Sequence, residues 1–319
     1  MDNILFLLSF VMLFFGGEFL VKSSVSLALR MRISTLVVGM TVVSFATSAP
    51  ELFVSIKSAL DGITDITFGN IIGSNIANIT LVLGLTALVF QIKITKQTYL
   101  LNYPVMLLTC VFLGFALFFF KGIGIWGGVI FVLFLIVFSF TLIKQSRNEN
   151  KKLSEEAKID YEKATKTSLI LSVFHMIVGI LLLAFGSEFL VNGVQNTAEL
   201  FSISERVISV SVVALGTSIP ELATSLVAAF RKEANLAVGN LIGSNIFNVL
   251  AVLGITSIIT PVHLKDVSII DDYIWMMSSI LLLGMFIYLL SRKVLTRIEG
   301  FFMLLFYVVF MFYLLTDYI

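Results

Sequence analysis

Long apolar runs separated by short polar breaks dominate the chain. They predict ten helices, near residues 4–28, 33–60, 67–90, 99–120, 122–143, 169–195, 203–230, 236–260, 268–290 and 297–316. A helix crosses a bilayer with about 20 predominantly apolar residues, and each run meets that length. The runs lack the alternation of a membrane β-barrel. The expected fold is therefore an all-α integral membrane protein. Its parts are a first five-helix unit over 1–143, a loop over 144–168 and a second five-helix unit over 169–319.

Composition agrees. Of 319 residues, 58% are hydrophobic and 13% charged, and mean hydropathy is +1.04. Soluble domains carry about 25% charged residues. A disulfide scaffold, a disordered chain and a cytosolic enzyme are all excluded. Cys110 is the single cysteine and His175 and His263 are the only histidines, so a His/Cys zinc site is not expected. A net charge of +1 offers nothing to nucleic acid. Residues 1–3 lack the basic start of a signal peptide, so the first run reads as a mature span.

The cations sort by side. With the N-terminus outside, the inner loops and inner helix ends collect 17 of the 21 lysines and arginines, among them Lys22, Arg30, Lys144, Arg231 and Arg297. Lys57, Lys121, Arg206 and Lys265 fall outside. The positive-inside rule then puts both termini outside and the 144–168 loop in the cytoplasm. A cell (inner or plasma) membrane is the expected location.

An internal repeat sets the architecture. Residues 39–85 align without gaps on 209–255, an offset of 170, with about 20 identities. Thr47-Ser48-Ala49-Pro50-Glu51 recurs as Thr217-Ser218-Ile219-Pro220-Glu221. Gly69-Asn70-x-x-Gly73-Ser74-Asn75-x-x-Asn78 recurs as Gly239-Asn240-x-x-Gly243-Ser244-Asn245-x-x-Asn248. An odd number of helices per half inverts the second half in the membrane, the plan of many secondary transporters.

Glu51 and Glu221 carry the chemistry. Each falls near the middle of its run, where a charge costs at least about 2.5 kcal/mol and marks function. Each follows a proline, which removes an N–H and disturbs the preceding turn. Carbonyls around Ser44–Ala46 and Ala214–Gly216 are then expected to lose their partners. With the hydroxyls of Thr47, Ser48, Thr217 and Ser218 they make a group of hard oxygens. Ca2+ takes 6–8 such ligands at 2.3–2.6 Å, Na+ accepts similar ones, and nothing soft is present for copper or zinc. Ser74 and Asn78, and equally Ser244 and Asn248, share a helix face expected to look toward the glutamates.

The small residues Gly69, Gly73, Gly239 and Gly243 are expected to pack against the broken helices. Asn70, Asn75, Asn240 and Asn245 read as interhelical hydrogen-bonding groups. Glu18 and Glu188 read as structural, paired with a basic residue or capping, with ion gating as the other role. His175, His263 and the loop aspartates 61, 65, 266, 271 and 272 read as ordinary solvated or packed groups.

At these residues the sequence resembles the sodium/calcium exchanger family, within the cation/calcium antiporter superfamily, and in its compact prokaryotic form. The resemblance spans the whole chain. It implies that Glu51 and Glu221 serve both Ca2+ and Na+, and that Thr47 and Thr217 offer carbonyl and hydroxyl oxygens. It further implies Na+ ligation by Ser48, Ser218, Ser74 and Ser244, backbone carbonyls of Ser44 and Ala214 as Na+ ligands, and Asn78 and Asn248 as a central pair. Two departures stand out. Ala46 replaces the usual glycine, which Gly216 keeps, and Asn248 stands where potassium-dependent members carry Asp.

The expected function is Ca2+ export driven by Na+, not an enzyme, without a cofactor, with Ca2+ and Na+ as substrates, membrane lipid around it and no obligate protein partner. A Ca2+/H+ antiporter is the alternative, because a glutamate in an apolar site can carry protons. A passive channel and a membrane hydrolase fit less well. A channel needs no inverted repeat, and no hydrolase motif is present.

Overall fold

The computed structural model describes residues 2–150, 168–200, 216–290 and 294–317. The helices are α1 (Asp2–Met31), α2 (Thr35–Thr47), α3 (Ala49–Leu60), α4 (Thr64–Val89), α5 (Thr98–Phe120) and α6 (Ile125–Asn150). They continue as α7 (Leu169–Leu200), α8 (Ile219–Phe230), α9 (Ala234–Ile259), α10 (Ile269–Leu290) and α11 (Arg297–Asp317). Among the described residues eight helices are long and apolar enough to span a membrane, or nine if α2 and α3 are one bent span. The expected run at 203–230 is described only from its end, as α8, since residues 201–215 lie outside the described residues.

One expected break is seen and one boundary differs from expectation. The run at 33–60 bends by 44° between α2 and α3. Pro50 in the first turn of α3 cannot donate back to Ala46, so the ladder is cut there. The helix expected at 122–143, α6, runs on to Asn150, so Lys144 and Arg147 are helical and not part of a loop. Lysine and arginine are good helix formers, so the helix extends through them. Most of the 144–168 loop, residues 151–167, lies outside the described residues.

Burial ranks the helices. The apolar windows of α4 and α9 are 78% and 83% buried, against 22–44% for the other spans. So α4 and α9 form the centre. The outer helices turn Phe119, Trp126, Phe140 and Leu289 outward, as lipid-facing surfaces do.

The repeat is visible in three dimensions. Tyr103 donates to the Ile280 carbonyl at 2.9 Å, and Tyr273 donates to the Cys110 carbonyl at 3.2 Å. Each group of one bond sits 170 positions from its counterpart in the other. The hydroxyls rest where a Cβ would stand on Gly284 and Gly114. Two short antiparallel ladders add to this: Ile92–Lys93 with Val294–Leu295, and Gly122–Ile123 with Val262–His263. Two-residue strands leave no period to read, so the sequence does not announce them. Stretches of widened, π-type helix occur at Ala77–Leu83 in α4 and at Asn248–Leu253 in α9, again in register with the repeat.

Candidate functional site

The two breaks aim their residues at the opposite half. Ser48 ends α2 with φ −85° and ψ 7°, and Ser218 precedes α8 with φ −88° and ψ 0°. Glu51 and Glu221 follow in the first turns of α3 and α8, and both are fully buried. Close approach makes the crossing possible. A Cβ on Gly239 would stand 2.3 Å from the Leu36 carbonyl, and one on Gly243 2.7 Å from Met40 Cα, so only glycine lets α2 lie on α9. These two glycines pack as expected. The equivalent partner of Gly69 falls within residues 201–215, outside the described residues, and among the described residues a Cβ on Gly69 meets nothing within 4 Å.

Across that contact Thr47 donates to Asn240 Oδ1 at 3.1 Å and lies 3.4 Å from the Ser244 hydroxyl. Ser48 and Ser244 both donate to Glu221 Oε1, at 3.4 Å each. The mirrored contacts join Ser74 to Thr217 at 3.2 Å and Thr217 to Asn70 Oδ1 at 3.5 Å. At the α4–α9 crossing Asn248 donates to Asn75 Oδ1 at 3.1 Å, and Asn75 donates to the Asn245 carbonyl at 3.4 Å. Asn70, Asn75 and Asn240 thus bond between helices, as read from the sequence, whereas Asn245 turns back to the Leu241 carbonyl of its own helix.

Several buried atoms are left over. Among the described residues, both carboxylate oxygens of Glu51, Oε2 of Glu221, both amide atoms of Asn78, Oδ1 of Asn248 and the Ser218 hydroxyl have no hydrogen-bond partner. Buried polar atoms are nearly always satisfied, and a buried carboxylate is costly without a partner. Acceptor oxygens converging from two carboxylates, hydroxyls and amides suit a hard cation as passing cargo. Among the described residues no third His, Cys, Asp or Glu joins the two glutamates.

Two of the carbonyls expected to be freed are engaged. Ser44 O accepts the Ser48 N–H at 2.9 Å within its own turn. Gly216 O, whose ladder donor would be Pro220, accepts the Ser187 hydroxyl of α7 at 2.6 Å instead. Each carbonyl keeps a second lone pair. The Ser44 hydroxyl is also engaged, with the carbonyls of Gly39 and Asn240. Ala214 lies outside the described residues.

Three residues were not singled out by sequence. Ser55 accepts from Asn70 at 3.0 Å and Ser225 from Asn240 at 3.5 Å, so each steadies the asparagine that faces a motif threonine. Their identity at the 170 offset was the available signal. Thr224 keeps a buried hydroxyl without a partner one turn beyond Glu221, and no repeat marks it, since Val54 is its counterpart. Glu18 does pair with bases, Lys22 and Arg231. Glu188, expected to do the same, is exposed and has no ion-pair partner among the described residues. His175 stacks on Phe19, which accounts for it.

Comparison with known proteins places this geometry. The family model described as sodium/calcium exchanger protein matches residues 3–144 and 171–316. The protein CaxA of Alkalimonas amylolytica is 35% identical over 93% of each chain. The sodium/calcium exchanger MaX1 of Methanosarcina acetivorans is 28% identical over 97% of each. A solved structure of the sodium-calcium exchanger NCX_Mj, soaked with 10 mM Na+ and zero Ca2+, superposes with a TM-score of 0.81 at 29% identity, covering 97% of both chains.

Proposed function

We propose that this chain, which belongs to the sodium/calcium exchanger family and is a membrane cation/calcium antiporter, exchanges Na+ for Ca2+ by alternating access, with Ca2+ export driven by the Na+ gradient. One observation carries the reading. Glu51 and Glu221 are buried on two helix breaks related by the sequence repeat, and three of their four carboxylate oxygens lack a hydrogen-bond partner among the described residues.

Two carboxylates balance one divalent ion. The ligands of the cargo are Glu51, Glu221, Thr47, Thr217, Ser48, Ser218, Ser74, Ser244, Asn78 and Asn248, with the carbonyls of Ser44 and Ala214. Na+ competes for the same oxygens, so one ion species leaves as the other arrives. Ten spans in two inverted halves, 1–143 and 169–319 around the 144–168 loop, complete the proposal, with both termini outside. The equivalence of the Tyr103 and Tyr273 bonds supports it, as do the paired ladders. Two interchangeable halves allow one central site to open in turn to each face.

The test is Ca2+ uptake into proteoliposomes loaded with Na+ and diluted into Na+-free buffer. Vesicles loaded with K+ or Li+, and an imposed pH gradient, run beside it. Uptake that requires internal Na+ is the expected result. Uptake driven by the pH gradient alone moves the coupling ion to H+, and uptake that needs no counter-ion replaces exchange with a channel.

A further inference from the structure

Glu18 and Glu188 are equivalent by the 170 offset, yet they stand in opposite surroundings. Glu18 is only 5% exposed. It bonds Lys22 Nζ at 2.7 Å, and Arg231 reaches it with two guanidinium nitrogens, Nε to Oε2 at 2.7 Å and Nη2 to Oε1. The offset exchanges Lys22 for Asn192, and the position matching Arg231 in the first half is Asp61. Glu188 has therefore lost both cations, and no described residue forms an ion pair with it.

The helices that carry them run antiparallel. Gly16 meets Gly179, Leu13 meets Gly186 and Phe6 meets Gly193. Glu188 thus lies toward the end of the pair that holds the N-terminus of α1, and Glu18 toward the other end. Glu188 and Asn192 line a cavity of about 540 Å³ that also borders Thr47, Thr217, Pro50 and Pro220. That cavity joins an exposed carboxylate to both helix breaks. A carboxylate in a span costs at least about 2.5 kcal/mol unless water or a partner meets it, and Glu188 is exposed with no ion-pair partner among the described residues.

We propose that Glu188 is a capture site for the cation on its way to Glu51 and Glu221, acting at one face of the membrane only. A single carboxylate with a neighbouring amide holds Ca2+ or Na+ weakly enough to pass it inward. A negative charge in a cavity with apolar walls raises the local cation concentration. Arg231 and Lys22 neutralise Glu18, so the opposite face has no such station. The inference rests on the exchange reading above.

The experiment uses the full chain in vesicles of known orientation, with Na+-dependent 45Ca2+ uptake followed against Ca2+ concentration. Glu188→Gln is expected to raise the half-saturating Ca2+ about tenfold at the α1 N-terminal face. The maximal rate stays the same, the other face is unaffected, and Glu188→Asp restores most of the affinity. A thiol supplies a second handle, because the native Cys110 is fully buried. Glu188→Cys converted by a thiosulfonate reagent, which releases sulfinate, to a mixed disulfide bearing a sulfonate should regain affinity, and the mixed disulfide bearing a quaternary ammonium should lose more. An unchanged half-saturation at both faces, an equal change at both, or a fall in maximal rate alone overturns the proposal. Wild-type protein that shows no Na+-dependent uptake overturns the exchange reading as well. An active wild type with an unaffected Glu188→Gln overturns the capture site alone.

Discussion

Ser48 donates to Oε1 of Glu221 across 3.4 Å, although 173 positions separate the two residues in the chain. The break in the first half therefore supports the carboxylate of the second, whereas the equivalent Ser218 makes no such bond to Glu51 among the described residues.

Glu51→Gln and Glu221→Gln should each abolish Ca2+ exchange. Near a protein surface two unit charges 4 Å apart interact by about 4 kcal/mol, and a divalent ion loses more when one carboxylate goes. That corresponds to a loss of about 1,000-fold in affinity. Folded yield should hold, since the amide is isosteric. Wild-type uptake by either variant sinks the assignment of that residue.

Ser48→Ala and Ser244→Ala each remove one donor to Glu221 Oε1. A hydrogen bond to a charged group contributes about 1.5–3 kcal/mol, and these bonds are long, so about 1 kcal/mol is expected. The half-saturating Na+ should shift about fivefold in either direction of assay. Titrating Na+ at fixed Ca2+ reads the shift, and identical curves for wild type and both variants would argue against the contact.

Gly239→Ala should destabilise the fold, because its Cβ would stand 2.3 Å from the Leu36 carbonyl. Overpacking of this kind costs about 1–3 kcal/mol. Gly69→Ala is the matched control in the other repeat. Its Cβ meets nothing within 4 Å among the described residues, and the change removes a helix-interior glycine, worth roughly 0.5–1 kcal/mol of stabilisation. Thermal unfolding in detergent should rank Gly69→Ala above wild type and Gly239→Ala below it.

The pair of Glu18 with Arg231 ties α1 to the end of α8. Arg231 is 51% exposed, so solvent screens the pair and its breakage should cost about 1 kcal/mol. Arg231→Gln and Glu18→Gln singly should lower the unfolding temperature, and the double variant should lose less than the sum. Strict additivity in that cycle would show no coupling.

Glu233 lies in the short turn between α8 and α9, and burial pushes its carboxyl above the ordinary value. A carboxyl raised in the folded state favours folding while it is protonated, and that contribution disappears as pH rises through the folded value. Glu233→Gln should therefore gain stability over wild type as pH rises from about 4 to 8, by roughly 0.5 kcal/mol for a half-buried group. Unfolding temperatures of both proteins across that range measure it, and a constant difference would count against burial as the cause.

The sequence alone determined the membrane class, the repeat and the two motifs that meet at the centre. Apolar runs of span length allow no other class, and a buried glutamate after a proline is too costly to keep without a use. Periodicity also marked Ser74 and Ser244 as facing the glutamates. What it left open depended on contacts between distant segments. The 44° bend between α2 and α3 followed from Pro50, but its geometry, and the bonds that engage the Ser44 carbonyl in its own turn and the Gly216 carbonyl from Ser187 of α7, required the packed structure. The different surroundings of Glu18 and Glu188 lay beyond local reading too, because Arg231 reaches Glu18 from 213 residues away. A one-dimensional pattern records which side chains share a helix face. Which charge stands opposite that face is decided only when the helices pack.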